Sequence, residues 1–418
     1  MSDKKNLKVL SLFSGCGGMD LGFEGGFDVL AKSVNPNIYP EWLRGNRGGA
    51  WARLPETGFS TIFANDIFPA AKAAWTPFFA ARGKPKDAFH LESVVELVKK
   101  HRKTGGVFPE ADVVTGGFPC QDFSIAGKKD GFNSHKAHHG KPLSEIDDAT
   151  EENRGKLYMW MKRVVEMTLP KVFVAENVKG LVSLADAKGI IENDFRTVGP
   201  GYLVVDAKVL RAPDFGVPQS RERVIFIGFR EDALDKDAAK ALARANIPDE
   251  FNPYPVPTHA AAPDGDGRPP YVTAGDCLLD LPEPEDSDDP SQRSYSKAKW
   301  YGSHCQGQTE INLSGLAPTI RSEHHGNIEF RRLSAEHGGK HAEELGRGLR
   351  ERRLTVRECA RIQTFPDDFE FVRKAGDLGA EYKISASEGY RLVGNAVPPL
   401  LAFHIAWRLR ELWPKIMK

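Results

Sequence analysis

Short runs of apolar residues, each closed by turn-forming residues, recur through the first half of the chain. LKVLSLF (7–13) runs into SGCGG, TIFA (61–64) into Asn65-Asp66, DVVT (112–115) into GGFPCQ, and VFVA (172–175) into ENV. Two more runs lie at 203–210 and at VIFIGF (224–229). A run that is apolar at every position, rather than at every second one, suits a strand buried on both faces. Between the runs, Val94, Val95 and Val98, and then Leu157, Met161, Val164 and Val165, fall at helical spacing. Alternating strands and helices imply an α/β fold with a parallel sheet and right-handed crossovers.

At 418 residues with 40% hydrophobic content, the chain is long enough for two or three domains and apolar enough for a large core. Formal net charge is zero, so binding to nucleic acid has to come from local patches rather than a global basic field. The 5 cysteines are scattered without a C-x-x-C pair, which argues against a disulfide framework or a structural zinc site and for a reducing cytoplasm. No span of about 18 apolar residues occurs, and the apolar start is too short for a secretion signal, so no membrane association is expected.

The texture changes near residue 230. A charged helical pattern (230–246) gives way to prolines, to the acidic stretch DCLLDLPEPEDSDDP, and to a polar region rich in His, Gly and Arg (292–353). An apolar stripe of Leu400, Phe403, Ile405, Leu409 and Leu412 then predicts a helix over 390–417.

Chemistry-bearing residues cluster at strand ends. Gly15, Gly17 and Gly18 after the first run allow a tight turn or the close approach of a ligand to the backbone. Asp66 ends the second run, where a carboxylate either holds a ribose or complements a helix dipole. Cys120 and Glu176 follow two later strands, and in a parallel sheet such loops converge on one edge. Gln219, Arg221 and Arg223 form Q-x-R-x-R before the next strand, and reach the same edge only if that strand is antiparallel. Guanidiniums beside a thiol favour the thiolate. Read alone, Cys120 also fits an inert buried thiol, and Glu176 with the arginines fits a structural ion pair.

Six segments in order resemble the DNA (cytosine-5) methyltransferase family of the bacterial restriction–modification type: FSGCGGMDLGF, GGFPCQDFSIAGKKDGF, ENV, QSRERV, RRLTVRECARIQTFPDDFEF and GYRLVGNAVPPLLA. The resemblance implies an S-adenosylmethionine (AdoMet)-dependent, Rossmann-like fold with a mixed, mostly parallel sheet and helices on both faces. Residues 1–230 and 386–418 would form the catalytic domain, and 231–385 a smaller, loop-rich target-recognition domain with its hinge. Cys120 would attack C6 of a flipped-out cytosine, Glu176 would engage the N3 edge, and Arg221 would sit beside the ring and thiolate with Arg223 supporting it. AdoMet, leaving as S-adenosylhomocysteine, would be held by Phe13, Ser14, Gly15, Cys16, Gly17, Gly18, Asp66, Ile67, Glu92, Pro119, Asn395 and Val397. Gln121, Ser124, Lys128, Lys129 and Gln219 would meet DNA near the catalytic loop. In the variable region Arg321, His324, His325, Asn327 and Arg331 are the candidate base readers, since Arg pairs with guanine and Asn with adenine in the major groove. The acidic run near 283–289 would face away from phosphate.

The sequence departs from the family pattern in four places. Where an adenine-binding Asp is usual, Glu92 is the best match and Ser93 a weaker one. An extra stretch (133–152) lengthens the catalytic loop, and its His135, His138 and His139 are read as loop residues rather than metal ligands. Asn153 stands where Asp is common, and 35–58 reads as a further insertion. The implied partners are duplex DNA and, functionally, a cognate restriction endonuclease, with the enzyme acting as a cytoplasmic monomer. A catalytically silent DNA-binding homologue and an RNA cytosine-5 methyltransferase remain as alternatives.

Overall fold

The computed structural model of the chain describes residues 6–43, 49–118, 157–183, 186–262, 265, 267–322, 327–374 and 382–418. The chain begins with β1 (Leu7–Leu12), α1 (Gly18–Glu24), β2 (Asp28–Leu30), β3 (Trp51–Arg53), β4 (Phe59–Asp66), α2 (Pro69–Ala81), β5 (Phe89–Leu91), α3 (Val94–Thr104) and β6 (Val113–Gly117). It continues with α4 (Leu157–Thr168), β7 (Val172–Val178), α5 (Ala187–Arg196), β8 (Tyr202–Val204), β9 (Lys208–Arg211), β10 (Glu222–Arg230) and α6 (Lys236–Leu242). The remainder holds α7 (Ala274–Leu278), α8 (Pro290–Arg293), β11 (Phe330–Arg332), α9 (Ala342–Gly346), β12 (Arg352–Arg353), α10 (Val356–Ile362), α11 (Ala386–Asn395) and α12 (Pro399–Ile416).

The main sheet has eight strands among the described residues, in the order β5-β4-β1-β6-β7-β10-β8, with β9 also on β10. The β5, β4, β1, β6 and β7 strands run parallel. The β10 strand is antiparallel to β7, as the arginine motif requires if its side chains are to reach the same edge.

Alternate residues of each strand enter opposite cores, which is why the runs are apolar throughout. Val9, Val113, Val172, Val174, Ile225 and Ile227 pack on the face covered by α1, α2 and α12. Leu10, Val114, Phe173, Ala175, Val224 and Phe226 pack on the face covered by α3, α4 and α5. The first of these cores also takes in Val272, Ile311, Ile320 and Val356, from beyond the change in texture.

Three local expectations change. The 203–210 run breaks into β8 and β9, each pairing separately with β10. The charged 230–246 pattern yields only the short helix α6, which Asp235 caps by accepting from the Asp237 and Ala238 amides. The single helix expected over 390–417 divides at Pro398-Pro399, because proline donates no hydrogen bond to the preceding turn and constrains the residue before it. The described part of the 35–58 insertion supplies β3 and a stacked pair, Tyr39 on Trp42 at 4.0 Å, and Trp42 then packs on Phe403, His404 and Trp407 of α12. Among the described residues no helix is long and apolar enough to cross a membrane.

Candidate functional site

The β6 and β7 strands carry the catalytic candidates to one edge. Gly117, the last residue of β6, lies opposite Glu176 on β7. A Cβ on Gly117 would sit 2.9 Å from Glu176 Oε2, so the glycine makes room for the carboxylate. The backbone carbonyl of Phe118 accepts from Asn177 Nδ2 at 3.1 Å, which ties the root of the segment entering Cys120 to the strand carrying Glu176. Cys120 itself lies outside the described residues, as do Pro119, Gln121, Ser124, Lys128, Lys129, His324, His325, Asn153 and the 133–152 stretch.

Antiparallel pairing sets Arg223 opposite Val178, next to Glu176. Arg223 Nε donates to Glu176 Oε1 at 2.6 Å, and both side chains are about a tenth exposed. Burial pushes the Glu176 carboxyl up, while the charges of Arg223 and Arg221 pull it down; the net direction is upward. A carboxyl that holds a proton readily, beside a cation that steadies its charged form, is equipped to exchange a proton with a bound base.

Two members of the arginine motif are placed differently from expectation. Arg221, expected beside the ring, is fully buried, and donates to the carbonyls of Ile320 at 3.1 Å and of Gly394 and Ala396 at 2.8 Å each. It acts on Glu176 through its field and bolts three segments together. Gln219, expected at DNA, is also fully buried, donating to Gln363 Oε1 at 2.9 Å and accepting from the Ile320 amide at 3.1 Å.

The glycine turn occupies the neighbouring edge. Phe13 enters it at φ 52 and Gly15 at φ 56, the left-handed region that a phenylalanine rarely adopts. Gly15 N donates to Asp66 Oδ2 at 2.9 Å, and the Phe68 amide donates to Asp66 Oδ1 at 3.0 Å. Ser14 closes the turn against Asn65, donating its amide to the Asn65 carbonyl at 2.8 Å and accepting from the Asn65 amide at 3.0 Å. Asn65 Nδ2 reaches on to the carbonyls of His90 and Glu92, which places half-buried Glu92 on the same edge.

The three glycines have different duties. Among the described residues, a Cβ at Gly15 would meet no heavy atom within 4 Å. Gly17 lies against Trp75 and Phe79, and Gly18 against the Val397 carbonyl at 2.4 Å from where a Cβ would stand. These two glycines admit protein rather than ligand. Cys16 is 1% exposed and its thiol points into the core, to the Leu392 carbonyl of α11. Ile67 is 48% exposed beside Asp66, Asn395 is exposed and Val397 is buried.

In the variable region, Arg331 is corrected from base reader to structural cation: it is 4% exposed and grips Glu344 with both terminal nitrogens. Arg332 and Arg352 share Glu283, and Arg357 pairs with Asp289 at 2.6 Å, so the acidic run braces the arginine-rich RRLTVRE segment. Burial works to raise the Glu283 carboxyl, but Arg352 and Arg332 hold it down at about 2. Arg321 pairs with Glu329 at 3.4 Å and stays partly exposed, as does Asn327. The exposed side chains of this stretch include Ser303, His304, Cys305 and Gln306. Sequence reasoning passed over Gly117, Asn177 and Asn65. Their signal was adjacency to a motif residue, which gains meaning only once strand register is known.

The family profile of C-5 cytosine-specific DNA methylase matches residues 43–411. The chain is 32% identical to the Type II methyltransferase M.BspRI of Lysinibacillus sphaericus, over 100% of this chain and 84% of that protein. It is 32% identical to M.BsuRI of Bacillus subtilis, over 97% and 79% respectively. Among solved structures, a DNA modification methyltransferase encoded within a prophage of E. coli superposes with a TM-score of 0.55 at 21% identity, covering 98% of this chain and 99% of that one. The S. pombe Dnmt2 methyltransferase superposes with the same score at 17% identity, covering 98% and 99%. Both of these support the fold, and with the family profile and the sequence relatives they place the chain in the C-5 cytosine-specific DNA methylase family.

Proposed function

We propose that this DNA cytosine-5 methyltransferase works through a covalent Cys120–C6 bond and protects the DNA of its host from a cognate restriction endonuclease. The observation that carries the covalent route is the Glu176–Arg223 pair at 2.6 Å, packed against Gly117, three residues before Cys120. C5 of cytosine is a weak nucleophile until C6 is saturated, and a covalent bond to the enzyme divides that hard step into easier ones. Cys120 Sγ bonds to C6, and the displaced electron pair moves toward N3. Glu176 holds the proton at N3 and accepts from the exocyclic amine, leaving C5 electron-rich. Once C5 has spent that electron pair on a bond to the donated methyl group, loss of the C5 proton and departure of the sulfur restore the C5=C6 double bond and the ring. The target has to leave the base stack first, at a cost of a few kcal/mol.

The family and the fold imply AdoMet, which supplies an electrophilic methyl group when bound. The glycine turn suits it: among the described residues nothing lies in front of Gly15, Asp66 presents its carboxylate beside the turn, and Ile67 leaves an apolar side chain 48% exposed. Phe13, Gly15, Asp66, Ile67 and Glu92 would hold the cofactor, with Asp66 at the ribose hydroxyls and Ile67 on the adenine. Gly17, Gly18 and Val397 would shape the turn from behind. The exposed 303–306 residues, Arg321 and Asn327 would face the DNA. The relatives named Type II methyltransferases support the protective role.

Incubation with labelled AdoMet and plasmid DNA, followed by bisulfite sequencing, tests activity and target together. Cys120→Ala is expected to abolish transfer while AdoMet still binds. DNA with 5-fluorocytosine at the target is expected to become covalently linked to the wild-type chain. Equal turnover by the variant, or full activity without an adduct, would remove the covalent route.

A further inference from the structure

Beneath the glycine turn lies a carboxylate that the chemistry above leaves unused. Asp20, on α1, is 1% exposed, and Trp75 Nε1 donates to its Oδ2 at 2.8 Å. The same indole presses on the turn: a Cβ at Gly17 would stand 2.6 Å from Trp75 Cδ1 and 3.0 Å from Nε1. Phe79 stacks on the ring at 4.4 Å and fixes its plane. The nearby cations are engaged elsewhere. Lys84 pairs with Glu24 at 2.8 Å and donates to Ser60, while Arg82 donates to the carbonyls of Gly25 and Gly26. Among the described residues no cation pairs directly with Asp20. A buried acid normally recruits such a cation or gives up its charge. Asp20 instead stands one side chain away from the turn.

We propose that Asp20, acting through Trp75 on the Gly17 turn, is a positioning residue whose negative charge makes the site favour the cationic methyl donor over its neutral product. This rests on the AdoMet reading of the turn. AdoMet carries a sulfonium and S-adenosylhomocysteine a thioether, so the two ligands differ by one positive charge and a methyl group. A methyltransferase has to bind the first and release the second, and most of the cofactor is common to both. A buried anion that senses only the sulfonium discriminates between them without touching either.

The discrimination depends on pH, because burial pushes the Asp20 carboxyl up to about 7; Ser11 and Trp75 oppose the rise, Glu24 adds to it and Lys84 opposes it. Cys16 on the turn lies within the field of both Asp20 and Asp66, and Arg82 pairs with Glu24 at 3.8 Å. Linkage fixes the sign: a bound cation favours ionised Asp20, and ionised Asp20 favours the bound cation by the same factor. The preference for AdoMet therefore grows as pH rises through 7.

The test is calorimetric titration of the full chain with AdoMet and, separately, with S-adenosylhomocysteine, from roughly pH 6 to pH 8.5, bracketing the Asp20 value. Ionisations of the shared amino acid moiety cancel in the ratio of the two affinities. That ratio is expected to rise about fivefold across the range in the wild type and to stay flat in Asp20→Asn. Trp75→Phe keeps a ring under Gly17 but removes the donor, so its inflection is expected at higher pH; it decides the matter if the Asp20 variant does not fold. A flat wild-type ratio with both ligands bound overturns the proposal and leaves the AdoMet reading standing. A rise that persists in Asp20→Asn, or an unmoved inflection in Trp75→Phe, assigns the effect to another group and overturns it equally. Failure of both ligands to bind removes the AdoMet reading itself.

Discussion

Burial and cationic neighbours pull the Glu176 carboxyl in opposite directions, and the net upward direction shows that desolvation dominates. Arg223 is the closer cation, at 2.6 Å, and its removal takes away the main force that keeps Glu176 ionised. In Arg223→Gln the proton on Glu176 is held more tightly, so the limb of the kcat/KM profile that reports Glu176 moves to higher pH. A pH–rate series on the variant checks this, and a profile that coincides with the wild type would show that Glu176 does not control that limb. Glu176→Gln keeps the shape but cannot exchange a proton, and kcat is expected to fall by roughly 10²-fold or more with KM for AdoMet little changed. Steady-state methyl transfer measures both. At this scale the sequence revealed chemistry more readily than exposure. Glu176 and Arg223 were singled out by type and motif and do meet, whereas Gln219 and Arg331 carry the right groups for base contact and are consumed by Gln363 and Glu344, partners 144 and 13 residues away. Nothing in a local stretch announces such a partner.

At the level of elements, α1 meets the start of α12 through a seam of small residues. A Cβ on Gly22 would fall 2.4 Å from Ala402 Cβ, 2.4 Å from the Pro399 carbonyl and 2.7 Å from the Phe403 amide. Two of these three atoms are backbone and cannot rotate away. In an open helix, Gly→Ala stabilises by about 1 kcal/mol. Here overpacking opposes it at about 1–3 kcal/mol, and with backbone in the way the larger figure governs. Gly22→Ala is expected to be less stable than the wild type in urea or thermal unfolding; equal or greater stability would mean that the seam is loose. The elements themselves were largely legible, because a strand buried on both faces writes itself as an unbroken apolar run. β2, β3, β5, β11 and β12 were not, since each has only two or three residues and is defined by its pairing partner rather than by its own composition. The antiparallel sense of β10 was legible as a condition: two arginines at the start of a strand serve a site at the ends of its neighbours only if that strand is reversed.

For the molecule as a whole, the C-terminal helix closes over α1 and the inserted Tyr39–Trp42 stack, and this closure contains an acid-sensitive element. His404 of α12 is 1% exposed, with Trp42 at 4.8 Å, Phe215 at 5.2 Å and Tyr39 at 6.0 Å, and among the described residues neither ring nitrogen meets a partner in good hydrogen-bond geometry, the Phe215 backbone offering only a weak one. Burial, helped by the nearby His259, pushes the imidazole down to about 3. The unfolded chain takes up that proton near pH 6.5, so between the two values it binds more protons than the folded one, and stability falls as pH falls. The slope is about 1.36 kcal/mol per pH unit, or about 2 kcal/mol between pH 6.5 and pH 5. Asp20 works in the opposite sense. Its folded value of about 7 lies above that of the unfolded carboxyl, and its contribution is complete at low pH and lost as pH rises through 7. Comparison of wild type with His404→Leu isolates the histidine from this and every other carboxylate. The leucine keeps the apolar contacts with Trp42 and Phe215 and takes no proton. The variant is therefore expected to gain about 2 kcal/mol on the wild type between pH 7 and pH 5 in urea unfolding. Parallel stability curves for the two proteins over that interval would mean that the ring is already solvated or paired in the folded chain, and that α12 is held against the insertion by packing alone.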